Sequence, residues 1–310
     1  MARSAAVAKL ALMSNGTPVP QPLRFTARDG YALSGLIVAP HAPRAALLIS
    51  PGTGFPKAFY LKFAQYAASR GYAALVYDYR GMGDSAPPSL RGFPAKMSDW
   101  GRLDMPAALD ALATAAPGVP ISIVGHSAGA QLVGLMPNAD CVAKVAGIAA
   151  SVGYWRWQPM PFRLVAVTLW FLYGPFCVAT LGYVPDGKLW QGLALPPGVF
   201  REWRRWCRDV RYFGVDFDGP LRERHFDSVR ADFRVFAFTD DPIGNPEAVP
   251  ALLRYYSNAA TSIEWIAPRD VGAPSIGHHG FFYSRFRETL WKRVVDWLDA
   301  PRALSSGERR

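Results

Sequence analysis

The pentapeptide Gly125-His126-Ser127-Ala128-Gly129 sets a serine between two glycines, a G-x-S-x-G arrangement suited to a nucleophile carried on a tight turn. A serine hydroxyl is a poor nucleophile near neutral pH. It needs a base to take its proton and a carboxylate to orient that base. Five histidines compete for the base: His41, His126, His225, His278 and His279. Asp240-Asp241-Pro242 offers two adjacent carboxylates, and Asp270 lies on the approach to the histidine pair. These residue types in combination carry nucleophilic attack on a carbonyl carbon.

In a chain with 28 glycines the pentapeptide alone is a modest signal, and its surroundings sharpen it. The β-branched run 120–124 enters it and a helical pattern over 128–135 leaves it, as a strand–nucleophile–helix turn requires. Gly125 and Gly129 lack a Cβ, which lets strand and helix close tightly around the serine. Upstream, strands are predicted over 23–28 and 31–38, joined at Asp29-Gly30 as a two-residue hairpin. A strand over 45–50 ends in Pro51-Gly52-Thr53-Gly54, and a helix over 58–69 and a strand over 73–79 follow. The 98–115 segment reads as a helix capped by Ser98 and kinked at Pro106. Strands over 142–150, 233–238 and 262–266 and helices over 246–258 and 285–298 complete the pattern. Alternating strands and helices predict a mostly parallel sheet covered on both faces, with the hairpin as an antiparallel edge.

The ordered motifs PGTGFPKAFY, VYDYRGMGDS, LRGF, GHSAG, FTDDP and GHHGFF, spread over about residues 22–300, make the chain resemble the α/β-hydrolase superfamily. Within it the chain looks like a bacterial group known mainly as predicted α/β hydrolases. The resemblance implies a mostly parallel central sheet with helices on both faces and a helical cap after strand six. It also implies the order nucleophile, acid, base. On that order Ser127 is the nucleophile, His278 the base with His279 as alternative, and Asp241 the acid with Asp240 as alternative. The oxyanion donors implied are the amides of Thr53 and Ala128, with Pro51 standing where the superfamily usually has a histidine. His126 belongs to the turn itself and is expected to point away from the chemistry. Residues 78–85 resemble a structural loop without catalytic duty, and Asp270 reads as a solvated loop carboxylate. The implied activity is hydrolysis of carboxylic esters or thioesters through an acyl-enzyme. Acyl transfer by the same triad is one rival; a non-catalytic, membrane-peripheral binding protein is another.

Residues 22–153 and 230–300 are expected to form the core and 154–229 the cap, with 1–21 an N-terminal extension and 301–310 a disordered tail. The cap segment holds six of the ten tryptophans, and 164–184 runs 21 residues without a charge, long enough to cross a bilayer. A single crossing would place Ser127 and His278 on opposite sides, so a span is rejected. Gly174-Pro175 is expected to split the run into two cap helices facing the site, which favours a lipid-like or otherwise apolar acyl substrate. Shallow interfacial insertion is the alternative. Arg201, Arg204, Arg205, Arg208 and Arg211 interleave with Trp203, Trp206 and Tyr212. They read as a solvated helix face, or as a grip on acyl carboxylates or anionic lipid head groups.

Composition agrees with one large globular domain carrying an insertion: 310 residues, 50% hydrophobic and 19% charged. The formal net charge of +10 fits an arginine-rich soluble surface or an anionic membrane partner. No nucleic-acid module, metal constellation, phosphate loop or dinucleotide fingerprint is present, so no cofactor is expected. Cys141, Cys177 and Cys207 are too scattered for a disulfide framework, and Lys9 interrupts the apolar start before an export signal develops. A cytoplasmic location follows, with contact at the inner membrane surface as its variant.

Overall fold

A computed structural model describes residues 18–187, 190 and 192–301; the expected tail beyond 301 and most of the N-terminal extension lie outside them. Eight strands form one sheet: β1 (Gln21–Thr26), β2 (Ala32–Val38), β3 (Ala45–Ser50), β4 (Tyr72–Asp78), β5 (Ile121–His126), β6 (Val142–Ile148), β7 (Asp232–Phe238) and β8 (Ala260–Ile266). Their order is β1-β2-β4-β3-β5-β6-β7-β8. β2 pairs antiparallel with both β1 and β4, and all other pairs are parallel. Every residue of β3, β4 and β5 is buried, the signature of parallel strands covered on both faces.

One face packs on the 97–115 helix, the short helix after Ser127 and the inserted segment. Phe63 of the Leu61–Ser69 helix meets Phe281, Phe282 and Trp291 on the other face. This is the α/β-hydrolase fold, and the insertion lies between β6 and β7.

Several local expectations give way to tertiary contacts. The β1–β2 connection is five residues, closed by a hydrogen bond from Ala27 N to Tyr31 O, with Gly30 at φ 87°. Asp29 serves there as an acceptor for Arg80, at 2.6 Å, which holds the loop open beyond a two-residue turn. Ser98 is not a cap. It lies inside a helix that begins at Met97, and its N–H and hydroxyl both donate to Glu202 of the insertion. Ahead of Pro106 the helix widens into one π stretch, Trp100–Asp104, which absorbs the missing proline N–H in place of a kink. Of the 246–258 helix only Ala248–Leu253 forms, started by the Asn245 side chain accepting the amides of Glu247 and Ala248.

The largest departure is in the insertion. Phe162–Thr180 is one continuous helix of 19 residues. A π stretch, Thr168–Tyr173, immediately precedes Gly174-Pro175, so Pro175 falls at the start of the next α segment, where it needs no N–H. Gly174 also lets this helix cross the Pro197–Cys207 helix at close range. A Cβ there would lie 1.9 Å from the Phe200 ring.

Candidate active site

β5 delivers the chain to Ser127 at φ 47° and ψ −110°, and a helix starts at Ala128. That backbone region is sparsely populated for a residue with a side chain, and it persists because the surroundings over-determine it. Both flanking glycines are sterically required. A Cβ on Gly125 would lie 2.5 Å from Ala130 N, and one on Gly129 would lie 2.1 Å from the Ser50 carbonyl oxygen. The turn therefore projects the serine away from the sheet edge.

Three sequence-distant side chains meet there. His278 Nε2 is 3.1 Å from Ser127 Oγ, and His278 Nδ1 is 2.7 Å from Asp241 Oδ2. Asp241 is buried, and its other oxygen accepts the Ile243 amide at 2.8 Å. Its neighbour Asp240 turns the other way and accepts the amides of Ile276 and Gly277, at 2.8 and 3.1 Å. The two carboxylates divide the work of holding one loop: Asp241 touches the imidazole, Asp240 the backbone that carries it. His279 stays outside this chain, its exposed ring packed beside Phe55 and Tyr283. Asp270 accepts the Ala267 amide in its own turn, away from the site.

His126 does not point away, as the sequence led us to expect. Its buried ring lies 5.5 Å, centroid to centroid, from that of His278. Nδ1 is 2.8 Å from the Tyr60 hydroxyl, and Nε2 is 3.0 Å from the carbonyl oxygen of His278. The Tyr60 oxygen also accepts the Gly52 amide at 2.8 Å, so its own proton is free for His126 Nδ1. His126 then carries hydrogen on Nε2 and donates it to the His278 carbonyl. A directed thread thus runs from the loop after β3, through Tyr60 and His126, to the backbone of His278. Sequence alone gave no sign of Tyr60, which reads there as one more apolar residue of an aromatic helix start.

Burial, followed by repulsion from His278, holds the His126 pKa well below its ordinary value of 6.5. Burial also lowers that of His279. As pH falls below about 6.5 the unfolded chain takes up these protons and the folded one does not. The stability contributed is complete above that pH and is lost as pH falls towards the folded values, at up to about 1.4 kcal/mol per pH unit for buried His126 and much less for His279, which is exposed and screened by solvent. Urea midpoints measured from pH 7.5 downward should therefore drop below about 6.5, less steeply in His126→Gln. A wild-type midpoint unchanged to about pH 5 would show that His126 tolerates a proton.

The loop after β3 presents its amides in a telling order. Pro51 has none, and that of Gly52 is taken by Tyr60. The Thr53 and Ala128 amides have no hydrogen-bond acceptor among the described residues, which leaves both free for an oxyanion. Gly52 is fixed by space as well, since a Cβ there would lie 2.6 Å from His126 Nδ1. The 78–85 loop braces this one. Buried Lys57 pairs with Asp78 and Asp84 at 2.5 Å each, and its amide donates to Asp78. Above Gly54 stands Trp190 of the insertion, followed by Trp203 and Trp170 at ring separations of 5.5 and 4.7 Å.

The family model for serine aminopeptidases (S33) matches residues 41–180, less than half of the chain. Among solved structures, a soluble variant of the monoglyceride lipase of Saccharomyces cerevisiae superposes with a TM-score of 0.60 at 16% identity, over 91% of this chain and 95% of that one. A hypothetical protein of Pseudomonas aeruginosa gives 0.61 at 15% identity over 96% and 98%. An esterase of Pyrococcus furiosus gives 0.55 at 15% over 91% and 92%. Curated protein sequences give no significant match. These likenesses show the α/β-hydrolase fold, and over residues 41–180 the chain is similar to the serine aminopeptidase family.

Proposed function

We propose that the protein is a serine hydrolase of carboxylic esters or thioesters that works through an acyl-enzyme on Ser127. The observation that carries this reading is the unbroken hydrogen-bonded series Asp241–His278–Ser127 beside two unengaged amides. Ser127 Oγ attacks the acyl carbon as His278 Nε2 takes its proton. Asp241 holds the Nδ1 proton, so that the lone pair faces the serine, and stabilises the imidazolium that forms. The amides of Thr53 and Ala128 receive the oxyanion. His278 then protonates the leaving alkoxide or thiolate, and a water activated by the same nitrogen releases the acid. Segment 154–229 acts as a cap over this chemistry, and the protein works in the cytoplasm without a cofactor. Its three cysteines remain thiols, two of them buried, in keeping with a reducing compartment.

The acyl group on this reading is apolar, walled by Trp190, Trp203 and Trp170 beyond the oxyanion loop. Burial is worth about 0.8 kcal/mol per methylene, so each two-carbon extension should raise kcat/KM about tenfold until the wall is covered. The rise belongs in KM, because ground state and transition state gain equally. p-Nitrophenyl esters from acetyl to palmitoyl, with the matching acyl-CoAs, test this for the wild type and Trp190→Ala. The variant should flatten the rise. If acetyl esters are best and length is without effect, the tryptophans are packing only and the substrate is a small ester.

A further inference from the structure

The Phe162–Thr180 helix has Arg163 in its first turn as its one charge and is otherwise largely apolar around its circumference, yet only 33% of its most apolar stretch is buried. A helix of that composition in a globular protein is normally enclosed. Here one side, with Ala166, Trp170 and Cys177, packs inward, and Gly174 meets Phe200 of the neighbouring helix. The other side faces outward: Leu164 is 56% exposed, Leu172 65% and Phe176 67%, with Val165 and Phe171 beside them. Their spacing places them on one stripe, continued by Met160 before the helix and Leu181 after it. Seven of the eleven exposed large apolar side chains among the described residues fall between 160 and 181. The surface is thus a single concentrated patch on the outside of the cap, distinct from the tryptophans over the oxyanion loop. Scattered exposed leucines need no explanation; a continuous apolar stripe does.

The edge of this stripe is basic. The guanidinium of Arg208 lies 5.0 Å from the centre of the Phe171 ring, and that of Arg204 5.9 Å. Arg156 lies over Trp155, whose ring packs edge-on against Phe171 at 5.5 Å. None of these three arginines pairs with a carboxylate among the described residues, although Arg205 and Arg211 on the same stretch both do. Burial and the charge of Arg208 lower the pKa of Arg204, the mark of positive groups crowded without a counter-ion.

We propose that this face of the cap seats in the surface of an anionic lipid bilayer, the stripe from Leu164 to Phe176 lying side-on in the upper acyl region and Arg156, Arg204 and Arg208 meeting head-group phosphates. The charge and the shape agree: an apolar face in the plane of the interface with cations along its edge is how a helix binds a membrane without crossing it. The formal net charge of +10 favours the same partner at longer range. Crossing is excluded because β6 and β7, before and after the insertion, lie side by side in one sheet. This binding is independent of the chemistry proposed for Ser127.

Flotation of the full-length protein with vesicles tests it. Phosphatidylcholine vesicles containing phosphatidylglycerol should carry at least about tenfold more protein than pure phosphatidylcholine, and high salt should reduce the difference. Leu172→Asp combined with Phe176→Asp should abolish flotation, and Arg208→Glu should weaken it several-fold. Both should retain the melting temperature and the kcat/KM for a water-soluble ester. The proposal is overturned if the wild type fails to float with anionic vesicles, or if both variants float as it does. It is equally overturned if sedimentation velocity shows a dimer that the double variant dissolves, since a second copy would then cover the stripe.

Discussion

Ser127→Ala is expected to fold as the wild type does and to hydrolyse esters about 10⁴- to 10⁶-fold more slowly. Alanine meets the same backbone conformation at φ 47° that serine does, so the turn loses one hydroxyl and its 3.1 Å contact to His278, and nothing else. The site is only partly buried, so the empty position is open to water and the change in melting temperature should be no more than a few degrees. What disappears is the atom proposed to form the acyl-enzyme. A fluorophosphonate probe should therefore label the wild type and leave the variant unlabelled. Labelling that persists undiminished in Ser127→Ala would place the nucleophile elsewhere and end the proposed mechanism.

The second large effect separates neighbours. Asp241→Asn should lower kcat about 10³- to 10⁴-fold with KM little changed. An amide NH₂ facing Nδ1 favours the tautomer that carries hydrogen on Nε2, and the nitrogen facing Ser127 can then no longer accept its proton. Asp240→Asn loses only part of the grip on Ile276 and Gly277, and should keep activity within about tenfold while melting earlier. The histidine pair divides in the same way. His278→Ala should be as damaging as Ser127→Ala, whereas His279→Ala removes a ring packed on Phe55 and Tyr283 and should leave most turnover. If the outcomes are exchanged within either pair, the register of that loop in solution differs from the one described.

What could be read in the sequence was whatever follows from local pattern and order. β3 to β6 announce themselves as apolar runs because both faces are covered, and the serine turn is legible because its two glycines are forced by close backbone approach. The choice of His278 and Asp241 came from chain order. The structure brings those two side chains together with Ser127, and it also explains why the adjacent residues looked equally eligible: Asp240 is committed to the same loop through its backbone. Other features depend on contacts between segments far apart in sequence. Gly174-Pro175 reads as a break, and only the π stretch before it and the close crossing with Phe200 make the helix continuous. The Tyr60–His126 contact joins residues 66 positions apart, with no periodicity to betray it. The exposed stripe was hidden for a different reason. When every side of a helix is apolar, spacing cannot tell which side the fold leaves uncovered.

The thread from Gly52 through Tyr60 and His126 to His278 bears on how this protein can be altered. The proposed oxyanion donor Thr53 and the proposed base His278 sit on different loops, yet on that reading neither can be retuned alone. Each hydrogen bond fixes the direction of the next, so a side chain that reverses one donor reverses the requirement on all the others. Substitutions at positions 52, 60 and 126 will therefore behave as one unit, their penalties overlapping instead of adding. An engineer seeking a wider site has to replace these three together, or leave them and work from the cap.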